Sequence, residues 1–148
     1  SLHIIGMYAL SPLVGRVADR LGARPVIAAG GVLLAVGAAF AAGSEATESG
    51  GVYLGLFLIG LGWSCGLVAG STLLVRTFAG SNRVGIQGLA DLCMTASGGL
   101  AGLGSGFMVA VAGYQNLSRA AIVVGLVPTV AVLAMLLSDR GRHRPQAA

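Results

Sequence analysis

Four long apolar stretches, residues 26–42, 51–75, 84–112 and 120–137, constrain this chain more than any other feature, and a shorter one covers residues 2–14. At about 1.5 Å per residue, roughly 20 helical residues cross a hydrocarbon core of about 30 Å, so each of the four can span a bilayer. A backbone in lipid must satisfy its own hydrogen bonds, and none of the stretches alternates with the period of two that a barrel strand needs. The sequence therefore predicts an all-α fold: a polytopic transmembrane bundle of about five helices, the first entered part-way, with residues 138–148 as a polar tail.

Composition supports lipid as the solvent. The chain is 55% hydrophobic and 9% charged, against about 25% charged in a soluble domain, and its mean hydropathy is +0.87. The charges fall between the apolar stretches instead of dispersing along helix faces. All nine basic residues are arginines, yet no basic face is interleaved with aromatics, so nucleic acid is not an expected partner. Cys65 and Cys93 lie inside apolar stretches and read as small packing residues. The two histidines stand at opposite ends of the chain, and the glycine runs lack the Lys-Ser/Thr of a phosphate cradle. No catalytic group, metal site or cofactor is predicted, and the chain does not read as an enzyme.

Arginine placement predicts orientation. Arg16, Arg20 and Arg24 lie after the first stretch, Arg76 and Arg83 between the third and fourth, and Arg140, Arg142 and Arg144 in the tail. These segments are expected on the cytoplasmic side, with residues 43–50, which hold Glu45 and Glu48, and residues 113–119 outside. Arg119 alone breaks the pattern.

Helices in lipid associate largely through close approach at small residues. Gly62, Gly66 and Gly70 repeat every four residues in one stretch, and Gly98, Gly102 and Gly106 in the next, so both series are expected to pack helices. In the stretch from Val84, Gln87, Asp91, Thr95, Gly98 and Gly102 share one helical face. Leu89, Leu92, Leu100, Leu103 and Phe107 lie elsewhere around the wheel and should face lipid.

Asp91 is the sharpest single feature. It falls about 10 Å into its helix, where an ionised carboxylate must be paired, protonated or facing water. Two readings stand: a proton-coupling or switching residue, and a structural ion pair or hydrogen bond. His3, about ten residues before the arginine-rich segment, and Trp63, central in its stretch, are further candidates for a substrate or coupling pathway, each with bundle packing as the alternative.

The most specific string is Gly15-Arg16-Val17-Ala18-Asp19-Arg20-Leu21-Gly22-Ala23-Arg24-Pro25. It resembles the cytoplasmic loop signature of the major facilitator superfamily, with Gly15, Asp19, Arg20, Gly22 and Arg24 matching and Ala23 departing at a position that is usually basic. Residues 3–12, Gly62-Trp63 and residues 87–91 resemble segments of bacterial members. The resemblance implies the last helices of a 12-helix fold, from within the eighth to the C-terminus, in the bacterial plasma membrane with the C-terminus cytoplasmic. It also implies that the signature acts as a breakable electrostatic latch in alternating access.

The implied function is secondary active transport of a small solute between two half-bundles, the N-terminal one lying outside this sequence. Proton-coupled efflux is the expected mode, with the bilayer, a small-molecule substrate and protons as partners. The alternatives are a small membrane protein that oligomerises through its glycine stripes, and a channel.

Overall fold

The computed structural model describes residues 2–44, 49–78 and 82–142, and these are helical apart from short turns. Glu45 and Glu48 of the expected outer turn, Arg144 and the end of the tail lie outside the described residues.

Helix α1, Leu2–Tyr8, is followed after a two-residue turn by α2, Ser11–Leu21. Pro12 sits in the first turn of α2, where its missing N–H is no loss. The expected loop over residues 15–25 is instead helical as far as Leu21. Only Gly22 leaves helical geometry, at φ 91° and ψ 157°, a conformation open to glycine because it carries no Cβ. Helix α3, Ala23–Gly43, begins at once, with Pro25 its third residue. The charged residues of the signature are compatible with a helix, and a single glycine suffices for the corner.

Helix α4 runs Ser49–Thr77 and α5 runs Arg83–Arg142, with Gly113 (φ 81°, ψ 166°) the one non-helical residue inside α5. The segments long and apolar enough to cross a membrane are Ala23–Gly43, Gly50–Thr77 and Arg83–Asp139. The last has 57 residues; as one straight helix it would extend about 85 Å, nearly three times a hydrocarbon core of about 30 Å. It does not run straight. Arg83 and Val84 line a cavity with Ser71 and Val75 near the end of α4, while Asp139 reaches Arg24 at the start of α3. The segment thus leaves one end of the bundle, turns at Gly113 and comes back. Where a connection over residues 113–119 was expected, a glycine with positive φ turns the chain in one residue, and Asn116 and Arg119 are already helical.

The helices meet through glycines. A Cβ on Gly30 would lie 2.9 Å from the Gly62 carbonyl oxygen, and one on Gly62 would lie 2.7 Å from that of Gly30. Gly37 and Gly55 repeat the arrangement two turns away, at 2.7 and 2.6 Å. Both pairs join α3 to α4 running antiparallel. Gly6 and Gly60 bring α1 against α4, and Gly31 and Gly125 bring α3 against the second part of α5. Thr129 Oγ1 adds a donor to the Ala28 carbonyl, 2.8 Å away.

These approaches correct part of the packing expectation. Of the two glycine series only Gly62 is pressed against another helix. Around Gly66, Gly70, Gly98, Gly102 and Gly106 a Cβ would meet nothing within 4 Å, because that side of α4 and the first part of α5 border open space. The small core collects elsewhere, from Val14 and Ala18 of α2, Ala23 and Val26 of α3, and Cys65 and Ala69 of α4. Cys65 is buried as expected; Cys93 is exposed.

Candidate functional site

The open space beside α4 is the candidate site. One cleft of about 370 Å³ is bordered by Gly62, Trp63, Gly66, Gly70, Ser71 and Leu74 of α4 and by Gln87, Ala90, Asp91 and Met94 of α5, with Leu34 of α3 at its side. The glycine series of α4 is a flat wall here, bare of side chains, and Asp91 faces it. A second cavity, toward the arginine-bearing end, shares Ser71, Gln87 and Asp91 and adds Arg83.

Within the cleft Gln87 Nε2 donates to Asp91 Oδ1 at 3.2 Å, one helical turn away. Gln87 Oε1 is shielded and has no hydrogen-bond partner. Thr95 Oγ1 donates to the Asp91 carbonyl at 2.8 Å, so its hydroxyl is occupied by its own helix and does not border the cleft. Asp91 itself is exposed and in no ion pair among the described residues. On the opposite face Leu89, Leu92, Leu100, Leu103 and Phe107 are 61–78% exposed, the distribution expected of a lipid-facing surface.

Trp63 borders the cleft, its ring edge-to-face with Tyr8 at a centroid distance of 6.0 Å. His3 does not border it. Its Nδ1 lies 2.9 Å from the Leu56 carbonyl oxygen, and its own carbonyl packs on Gly60, so it acts as a strut between α1 and α4. Nearby, the Ser11 and Ser64 hydroxyls are 3.0 Å apart, with Ser64 wholly buried.

The signature residues gather at the far end of α2. Asp19 Oδ1 accepts from Arg76 Nη2 of α4 at 3.1 Å, and Arg24 Nη1 of α3 donates to Asp139 Oδ2 of α5 at 2.9 Å. Two exposed ion pairs therefore tie the ends of four helical segments at the arginine-bearing end. Arg16 and Arg20 are exposed and in no ion pair among the described residues. Asp139, Ser71 and Met94 were not singled out by sequence reading. Ser71 borders the cleft beside Gly70, though neighbours in sequence point about 100° apart on a helix, and Asp139 meets a partner 115 positions away; neither carried a sequence signal. Among the described residues no group of three or more metal-ligating side chains occurs.

The sequence profile of the Major Facilitator Superfamily matches residues 1–148, the whole chain. The chain belongs to the Major Facilitator Superfamily. It is 38% identical over 126 residues to the uncharacterized MFS-type transporter YddS of Bacillus subtilis, covering 84% of this chain and 29% of that protein. It is 34% identical over 143 residues to the uncharacterized MFS-type transporter YdeG of the same organism, covering 95% of this chain and 32% of that protein. The riboflavin transporter RfnT of Brucella anthropi is 25% identical over 116 residues, covering 78% of this chain and 29% of that protein. The chain thus spans about a third of the length of these relatives. No solved structure matches. Membership in this transporter family makes the chain an integral membrane protein and gives a physical sense to the apolar surfaces that α3, α4 and α5 leave exposed.

Proposed function

We propose that this chain is the C-terminal portion of a secondary transporter that moves a small solute by alternating access, coupled to protons and running in the direction of efflux. The observation that carries the reading is the cleft itself. A helix with one carboxylate, Asp91, sets it opposite a glycine wall and an indole, at a volume of about 370 Å³, within the usual range of small-molecule sites of about 300–1,000 Å³. A further portion of the same polypeptide closes the open side of the cleft, as a site between two half-bundles requires. Asp91 exchanges the coupling proton, Gln87 holds its carboxylate in place, and Trp63 offers a flat apolar surface to the solute.

The Asp19–Arg76 and Arg24–Asp139 pairs act as the latch that the signature implies. Both are exposed, so each adds little to stability and can open and reform during a transport cycle. The arginine-bearing end faces the cytoplasm, where an excess of arginine in short connections holds it.

The test is flux in proteoliposomes holding the full-length transporter, with and without an imposed pH gradient. Solute export against its gradient should follow the proton gradient and fall to the passive level in Asp91→Asn, with the protein still inserted and monodisperse. Full gradient-driven flux in Asp91→Asn removes Asp91 from coupling, and flux that ignores the pH gradient in the wild type removes proton coupling altogether.

A further inference from the structure

On another side of α4 from the Asp91 cleft lies a third, separate cavity. It is a groove of about 250 Å³ between α2 and α3, bordered by Leu13, Val17 and Leu21 on one wall and Ala29 and Leu33 on the other, with Leu61 of α4 on its floor. Every one of these side chains is aliphatic, and Leu13 and Leu21 are 55% and 67% exposed. The groove runs along α2 for about 12 Å, from Leu13 to Leu21.

The charges beside it are not symmetrical. Leu13, Val17 and Arg20 follow at four- and three-residue steps and share one face of α2, while Arg16 lies three residues from Leu13 on the neighbouring ridge. Both arginines are exposed and unpaired among the described residues. The acids at this end of the bundle are Asp19 and Asp139, and both already hold another arginine, Arg76 and Arg24. The Leu21 end of the aliphatic slot thus lies beside Arg20, with Arg16 one helical turn back along α2, and no carboxylate of the described chain at this end is paired with either. Arg20 is one residue from the end of α2, where a long side chain can keep its guanidinium at the membrane interface while its stem lies on the apolar wall.

We infer that this groove binds one acyl chain of an anionic phospholipid, whose headgroup phosphate is held by Arg20 and Arg16. The slot supplies the apolar length and the arginines the charge complement. A juxtamembrane arginine near an anionic leaflet is attracted in its own right, and the groove converts that general attraction into a seat for one lipid. A polypeptide helix covering the groove would strand both guanidinium groups against apolar surface unless it brought acids of its own.

The experiment uses the full-length transporter extracted from vesicles of equal parts phosphatidylglycerol and phosphatidylcholine, with retained lipid counted by native mass spectrometry. The wild type should retain phosphatidylglycerol in preference to phosphatidylcholine, and the preference should fall about fivefold for each arginine removed in Arg16→Gln and Arg20→Gln. Ala29→Phe fills the groove with both arginines intact and should release the retained lipid just as fully; Leu13→Trp serves as an independent filling variant if Ala29→Phe accumulates poorly. Equal retention of the two lipids by the wild type overturns the inference. So does a preference that survives both filling variants, which would be bulk attraction to the arginines without a seat. Disulfide capture of Ala29→Cys by a cysteine in another helix of the same polypeptide would place protein in the groove and overturn it equally.

Discussion

At the scale of single residues, space around glycine decides tolerance. Gly37 is pressed against the backbone of α4, so Gly37→Leu must separate two helices and should cost about 1–3 kcal/mol, read as a lower midpoint of thermal unfolding in detergent. Gly66 and Gly70 belong to a glycine series with the same spacing as a packing motif, but each borders the cleft and has room for a methyl group. Gly66→Ala and Gly70→Ala should leave the unfolding midpoint unchanged and alter only what the cleft accepts; an equal loss of stability in all three variants would contradict the placement of the wall. Gly113 is different again. Its φ of 81° costs a residue with a Cβ roughly 1–2 kcal/mol, so Gly113→Val should weaken the turn between the two parts of α5, measured as reduced yield of correctly inserted protein.

At the scale of elements, the two ion pairs bridge helix ends that are far apart in sequence. Each side chain in the Asp19–Arg76 pair is more than half exposed, and such pairs contribute about 0–1 kcal/mol. Asp19→Asn should therefore leave unfolding nearly untouched while shifting the balance between inward- and outward-open forms, seen as a change in transport rate without loss of protein. A large drop in stability would make the pair a structural clamp and not a latch. Much of the element pattern was legible in the sequence because hydrophobic length and the demand for internal hydrogen bonding leave few choices in lipid. The helices at residues 26–42 and 51–75 fall inside α3 and α4. The length of the connections was not readable: a charged string looks like a loop, yet Arg16, Asp19 and Arg20 sit on helix and Gly22 alone turns the corner. Nor could periodicity tell a glycine stripe that packs on a helix from one that walls a cleft, since both need the same bare surface. That distinction depends on which helix lies opposite, as it did for the long-range partners Gly30 and Gly62, Gly31 and Gly125, and Arg24 and Asp139.

At the scale of the whole molecule, the helices divide into a packed body and an open side. The body, α1 to α3 with α4 and the second part of α5, is held by glycine contacts and a small core. The open side, where the first part of α5 stands across from α4, carries Asp91, Gln87 and Trp63, and the proposed alternating-access cycle would wet it from each side of the membrane in turn. The most direct measurement is thiol labelling of the full-length transporter with a membrane-impermeant maleimide, after Cys65→Ser and Cys93→Ser, with one cysteine introduced by Gly66→Cys on the cleft wall or by Val123→Cys on the exposed surface of α5. Gly66→Cys should be labelled from both sides of the membrane, to an extent that changes when a pH gradient is imposed, while Val123→Cys in the lipid stays unlabelled. Protection of Gly66→Cys from both sides under every condition would contradict it.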